Sequence, residues 1–154
     1  MLIDMEISIA TKNDAMVICE HNIKMAKETE NIDLTFETAL QGVNNLIDDP
    51  SKGFYVLARI DDYIVGQLMI TFEWSDWRNS TIWWIQSVYV SYLHRRKGIF
   101  QSLLSFVQEL AKNHGISILR LYVHHQNTSA IEVYKKLGMN LTEYHIFEIR
   151  VSDI

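Results

Sequence analysis

Residues 82–107, IWWIQSVYVSYLHRRKGIFQSLLSFV, decide how this chain reads, because three signals of separate physical origin follow one another there. Ile82–Val90 is apolar or aromatic at seven of nine positions and rich in strand formers, so it reads as a central strand buried on both faces. Phe100, Leu103, Leu104, Val107, Leu110 and Ala111 then recur at helical spacing, painting one face of an amphipathic helix that ends near Gly115. Between the two lies His94-Arg95-Arg96-Lys97-Gly98-Ile99. Backbone N–H groups at a helix start point outward, Gly98 has no side chain to block a ligand, and three cations sit alongside, which is how a chain holds a diphosphate. By themselves the residues leave a second reading open, a solvated basic turn with an ordinary turn glycine. The stretch matches neither the nucleoside triphosphate loop nor the dinucleotide fingerprint, which need G-x-x-x-x-G-K-[ST] and G-x-G-x-x-G.

Arg95-x-x-Gly98-x-Phe100 after a buried strand resembles [QR]-x-x-G-x-[GA], the acetyl-CoA-binding motif of the GNAT superfamily of N-acetyltransferases. A second block stands at the right distance: Asn127, Ala130, Tyr134, Leu137, Gly138 and Met139 are similar to the N-x-x-A-x-x-x-Y-x-x-x-G-F stretch of the same family. Two blocks in order are far more specific than either alone. In element order the resemblance runs from about Ile7 to Ile149, and its sequence-specific part from Ile82 to Met139.

Composition sets bounds around this core. A chain of 154 residues fits one domain, residues 1–154, able to bury a sizeable core. With 48% hydrophobic and 21% charged residues, one Pro and six Gly, the composition is that of an ordinary globular protein. The net charge of −5 makes Arg95-Arg96-Lys97 a local positive spot on an acidic chain, which argues against nucleic acid and for a small anionic partner. Cys19 stands alone, excluding an internal disulfide, and its helical apolar setting reads as core filler rather than nucleophile. No basic leader and no apolar run of about 18 residues is visible, so no membrane span is expected, and the expected location is the reducing cytoplasm.

In order, Met5–Ala10 alternates as a half-buried strand. Thr11 to Asp14 signals a helix start, with Met16, Cys19, Ile23 and Ala26 as the buried stripe. A second helix starts near Asp33 or Thr35, shows Phe36, Leu40, Val43 and Ile47, and stops at Asp49-Pro50-Ser51. Phe54–Ile60 and Tyr63–Phe72 read as strands joined by Asp61-Asp62, with Gly66 marking a bulge. Residues 73–80 then read as a polar, Trp-bearing loop, either bordering a pocket or an exposed hairpin end. Ile116–His124 is a further two-faced strand, followed by a helix from about Thr128 to Leu137, with capping-box spacing at Ser129 and Glu132 and a terminal glycine at 138. Leu141–Val151 closes the chain as a strand. His124 and His125, adjacent on a strand end, are expected to point to opposite faces, and no His/Cys spacing suggests a metal.

The order β-α-α-β-β-β-α-β-α-β gives an α/β (α+β) fold with helices on both sides of the sheet. By resemblance it is the acyl-CoA N-acyltransferase fold, with a mixed, mostly antiparallel central sheet. The resemblance implies an acetyl-CoA-dependent N-acetyltransferase that moves an acetyl group to a primary amine of a small molecule or peptide, by direct attack in a ternary complex. It implies that the backbone of Arg96 to Phe100 holds the diphosphate, aided by the charges of Arg95, Arg96 and Lys97, with Gly98 and Ile99 inside that turn. The pantetheine arm would run beside Val88, Tyr89 and Val90, with the neighbouring strand splayed away. The Val88 N–H would serve the oxyanion, Asn127 would bond the arm, Ala130 would leave room for it, and Tyr134 would give a proton to the departing thiolate. The two early helices would wall the acceptor groove. Many relatives are homodimers.

Without the resemblance, Tyr134 reads rather as a core aromatic on an amphipathic helix than as a proton donor. Glu73, Asp76 and Gln86 are candidates for the base and acceptor side, although acids of this kind are usually only solvated. Phe100 stands where the family prefers Gly or Ala; it either crowds the diphosphate or heads the apolar stripe, and the stripe favours the core. The alternative function is a non-catalytic acyl-CoA-binding module.

Overall fold

The computed structural model of the chain describes residues 4–152, which divide into two compact units, one ending at Tyr122 and the other starting at Val123. The first unit contains β1 (Met5–Ile9), α1 (Ala15–Glu30), α2 (Phe36–Ile47), β2 (Gly53–Ile60), β3 (Tyr63–Ser75), β4 (Ser80–Val90), α3 (Ile99–Asn113) and β5 (Leu119–Arg120). Its sheet runs β1-β2-β3-β4-β5, antiparallel throughout except for the parallel β4–β5 pair.

Local chemistry explains the joints. Asp61 and Asp62 sit at φ 50° and 67° between the paired residues Ile60 and Tyr63, the left-handed pair of a two-residue hairpin that Asp tolerates. Asp14 accepts the Thr11 backbone N–H at 2.9 Å, closing the capping box before α1. Asn31 ends α1 at φ 55°, its N–H returning to the carbonyls of Ala26 and Lys27.

Side-chain alternation then sorts the sheet into two faces. Tyr55 and Leu57 of β2, with Met69 of β3, meet Ile18 and Cys19 of α1 and Val43 and Leu46 of α2. On the opposite face Gly66 and Ala58 lie beneath Ile99 and Leu103 of α3. A side chain on Gly66 would meet Ile99 Cγ2 at 2.7 Å, so this glycine lets α3 approach β3. The bulge expected at Gly66 falls beside it: the β2–β3 register slips between Ala58 and Arg59, leaving Val65 as the extra residue. Fully buried Ile18, Leu57, Leu68, Ile70, Ile82, Ile85 and Leu103 each contribute about 1.5–3 kcal/mol, so packing against the sheet, not loop contacts, fixes the frame of the site.

Several expectations are corrected. The buried stripe of α1 is Ala15, Ile18, Cys19 and His21, while Met16 is exposed, because α1 turns toward the sheet the face that also carries His21. On α3 the buried face is headed by Ile99, and Phe100 and Leu110 lie half-buried at its margins, because Gly66 makes the seat for Ile99. Glu73 to Ser75 extend β3, with Ser75 paired to Ser80, so the Trp-bearing turn is only residues 76–79. The strand expected at Ile116–His124 narrows to Leu119–Arg120, the two residues that find a ladder partner on β4.

The second unit holds α4 (Thr128–Lys136). Asn127, not Ser129, is its N-cap, accepting the Ala130 N–H at 3.3 Å. The chain leaves α4 through Gly138 at φ 90°, with the Met139 N–H returning to the Tyr134 carbonyl at 3.0 Å. Leu141–Val151 forms no strand: it has β-propensity but no ladder partner, and Leu141, Tyr144, Ile146, Phe147, Ile149 and Val151 are exposed. His124 and His125 are not in a strand, so alternation does not apply, and their rings stack at 4.7 Å.

Candidate functional site

The site of the first unit is built on an irregularity in β4. Pairing with β3 runs Met69 to Gln86 and then Gln67 to Tyr89, so Ser87 and Val88 together oppose the single residue Leu68. Ser87 takes φ 50°, a left-handed conformation that costs a residue with a Cβ about 1–2 kcal/mol. On its other edge β4 pairs with β5 only at Trp83 and Trp84. Among the described residues no strand pairs with that edge from Ile85 to Val90.

Beyond β4, Tyr92–His94 makes one 3-10 turn, with Ser91 Oγ 2.7 Å from His94 Nδ1. Arg96 (φ 62°) and Gly98 (φ 77°) then alternate with residues of negative φ before α3 begins at Ile99. Alternating handedness turns successive N–H groups toward one side, a nest of the kind that suits an anion, leading into a helix N-terminus. No side chain caps α3 there, and the space a Cβ on Gly98 would enter is empty. Arg96, Lys97 and Gly98 are exposed, Ile99 is buried, and Phe100 is half-buried at the edge of the stripe.

Arg95 behaves differently from its neighbours. Its Nε donates to the Val90 carbonyl at 2.9 Å, an Nη lies 2.6 Å from Glu28 Oε2, and the guanidinium covers the rings of Tyr89 and Tyr92. It fastens the turn to β4 and α1. Burial is the main influence on Tyr89 and holds its phenol above the ordinary value.

The three residues proposed for the base and acceptor side have separate settings. Glu73 is ion-paired with Arg120 at 3.2 Å, Asp76 accepts the Trp77 N–H at the exposed hairpin tip, and Gln86 donates to Thr71 Oγ1 at 2.6 Å. Among the described residues no group of His, Cys, Asp and Glu could hold a metal ion. Cys19 is buried and burial raises its thiol, as expected of core filler.

In the second unit, Asn127, Ala130 and Tyr134 share one half-buried face of α4, with Ile131 and Leu137, while the other helix positions are exposed. Burial holds the Tyr134 phenol above its ordinary value, so the proton stays on at neutral pH.

The reading by pattern missed His21 and Gln67. Gln67 is completely buried and its Oε1 lies 3.0 Å from His21 Nδ1; its Nε2 donates to Asn22 Oδ1 at 2.9 Å. The available signal was Gln67 as the lone polar residue of the run Ile64–Ile70.

The profile of the "Acetyltransferase (GNAT) family" matches residues 18–139. A crystal structure described as a possible acetyltransferase from Clostridium difficile 630 is 39% identical, with a TM-score of 0.91 over 97% of this chain and 99% of that one. A thialysine N-epsilon-acetyltransferase from Bos taurus is 35% identical over 88 residues, 54% of this chain and 51% of its own length. A streptothricin acetyltransferase from Escherichia coli is 30% identical over 90 residues, 58% of this chain and 49% of its own. The aligned region thus spans about half the length of these curated relatives. No helix among the described residues is long and apolar enough to cross a membrane.

Proposed function

The chain belongs to the acetyltransferase (GNAT) family, and from that premise we propose that it moves an acetyl group from acetyl-CoA to a primary amine of a small molecule or peptide. The observation that carries this reading is the continuity of the open β4 edge, Ile85–Val90, with the Arg96–Gly98 nest and the uncapped start of α3. An extended arm ending in a diphosphate matches that sequence of features. Its arm takes the open edge and its anion takes the nest.

In the proposed reaction, Arg96, Lys97 and the N–H groups from Arg96 to Phe100 hold the diphosphate. Val88, Tyr89 and Val90 bond the pantetheine arm through their backbone, and the Asn127 amide adds a bond from α4. Asn127 Oδ1 already caps α4, so its Nδ2 is the group for this task. A neutral amine attacks the thioester carbonyl, the C–N bond forms, and the carbonyl oxygen gathers the negative charge. The Val88 N–H receives that charge. The C–S bond then breaks, the sulfur leaves with its electron pair and takes a proton from Tyr134, and the extra proton on the new amide nitrogen passes through solvent to the Tyr134 phenolate, restoring it. The raised phenol of Tyr134 supports a group that is protonated before the reaction, and requires that donation accompany C–S cleavage rather than precede it.

An alkylamine must lose a proton first. Glu73, paired with Arg120, and the exposed Asp76 are the carboxylates proposed for that step, while Gln86 has no basic form and serves only to orient. The names of both curated relatives are those of acetyltransferases, one acting at an ε-nitrogen, which supports a small-molecule amine as the acceptor.

Thiol release from acetyl-CoA, followed across a panel of diamines, amino acids and peptides, tests the reading. Amine-dependent release is expected, with Tyr134→Phe losing turnover by about a hundredfold while acetyl-CoA affinity changes little. Binding without release for every amine would leave the non-catalytic binding module standing.

A further inference from the structure

We propose that Gln67 is a positioning residue which holds the β4 bulge at Ser87 and so sets the direction of the Val88 N–H. The proposal rests on the acetyl-transfer reading and adds to it the groups that aim its oxyanion donor.

Ser87 and Val88 share one peptide group. In a trans peptide the C=O of the first residue and the N–H of the second point in opposite directions. Gln67 Nε2 donates to the Ser87 carbonyl at 3.4 Å, a long contact. Whatever fixes that carbonyl also fixes the Val88 N–H, which points away from the Gln67 amide. Because Ser87 is a non-glycine residue at φ 50°, the bulge is strained and persists only where its surroundings hold it.

The hold on Gln67 is complete. The Ser87 carbonyl and Asn22 Oδ1 are both acceptors, so the Gln67 amide must present its NH2 to them, and its Oε1 therefore faces His21. His21 Nδ1 must then carry the hydrogen. Asn22 in turn bonds the Tyr55 hydroxyl, and no buried side-chain polar atom of the described residues lacks a partner. The His21 ring lies 4.7 Å from the ring of Tyr89, which is the register partner of Gln67. The residues on both sides of Val88 are thus gripped by one cluster, with α1 supplying His21 and Asn22, β2 supplying Tyr55 and β3 supplying Gln67. A buried polar cluster of this kind is costly unless every member is satisfied. Core packing alone would be served by an apolar residue at position 67, since that side chain is wholly enclosed.

The test uses Gln67→Met, which keeps length and loses both the acceptor and the donors, and His21→Phe, which keeps a ring against Tyr89 and loses the N–H. Each is compared with wild type in three measurements: thermal melting, acetyl-CoA titration, and the Val88 amide resonance with and without acetyl-CoA, with turnover added for an accepted amine. The expected result is a folded variant whose acetyl-CoA affinity stays within about twofold, whose kcat falls about tenfold or more, and whose Val88 amide no longer responds as in wild type. His21→Phe should show the same pattern more weakly, and it stands as the deciding variant if Gln67→Met fails to fold. Lower melting temperature with unchanged kcat and unchanged Val88 response would assign the cluster to stability alone and overturn the proposal. A wild-type Val88 amide that ignores bound acetyl-CoA would instead remove the donor role itself, a failure of the underlying reading rather than of the clamp.

Discussion

Arg95 and Glu28 are 67 residues apart in the chain and meet at 2.6 Å, joining the motif turn to the last turns of α1. The most motif-like cation of the chain is therefore occupied with protein groups, and Arg96 and Lys97 remain exposed beside the nest. Alanine at both Arg96 and Lys97 should weaken acetyl-CoA binding more than Arg95→Ala, with the difference shrinking in high salt. Arg95→Ala should mainly lower the melting temperature, the half-exposed ion pair contributing under about 1 kcal/mol and the lost cover over two tyrosine rings adding to it. Titration calorimetry at two salt concentrations decides; equal losses would return Arg95 to the diphosphate.

Gly98 separates backbone need from ligand need. Its φ of 77° disfavours any side chain, yet no atom beyond its own chain neighbours stands within 4 Å of the position a Cβ would take. Gly98→Ala should therefore cost about 1 kcal/mol of stability through backbone strain alone. Gly98→Glu should cost a similar amount and also abolish acetyl-CoA binding, by setting a carboxylate beside the diphosphate. Melting curves and titrations on both variants check this, and full binding by Gly98→Glu would move the diphosphate away from the nest.

Gly66 is the counter-case, where space rather than conformation demands glycine. A Cβ there would sit 2.7 Å from Ile99 Cγ2, so Gly66→Ala should destabilise by about 1–3 kcal/mol through overpacking. Combined with Ile99→Ala, which removes the obstructing methyl, the two losses should sum to less than their separate values. Urea denaturation of the four-protein cycle measures it; strict additivity would mean that α3 does not rest on Gly66.

The His21–Gln67 pair predicts a pH dependence of stability. Burial pushes the His21 imidazole below its ordinary value, the bond to Gln67 opposing in part. The unfolded chain then takes up the proton before the folded one. The stability owed to the neutral ring is complete above about pH 6.5, declines as pH falls through that value, and levels off once the folded-state ring is itself protonated. Denaturant titrations from pH 7.5 to 5 should show this slope in wild type and a reduced slope in His21→Phe. An identical slope in both would assign the acid sensitivity elsewhere.

Features with local causes were legible in the residues. Asp61-Asp62 closes its hairpin because two short polar residues tolerate the left-handed pair of conformations the turn requires. The passage from β4 through the basic turn to α3 follows from apolar runs, a glycine and a change of period within 26 residues. Asn127, Ala130 and Tyr134 fall on one half-buried face of α4 because helical spacing alone puts them there.

What the sequence by itself determined about this protein is the order and type of its main elements and the place of the glycine-bearing basic turn between β4 and α3, since propensity, period and turn chemistry act between residues a few positions apart. Only the tertiary structure decided the rest, each case depending on a partner distant in the chain. Ser87 takes a bulge that no glycine announces, held by a glutamine 20 positions earlier. Ile99 rather than Phe100 heads the buried face of α3 because Gly66 makes its seat. Residues 116–124 and 141–151 share the composition of strands, yet a strand exists only where a ladder partner meets it, and pairing is a property of two segments rather than one.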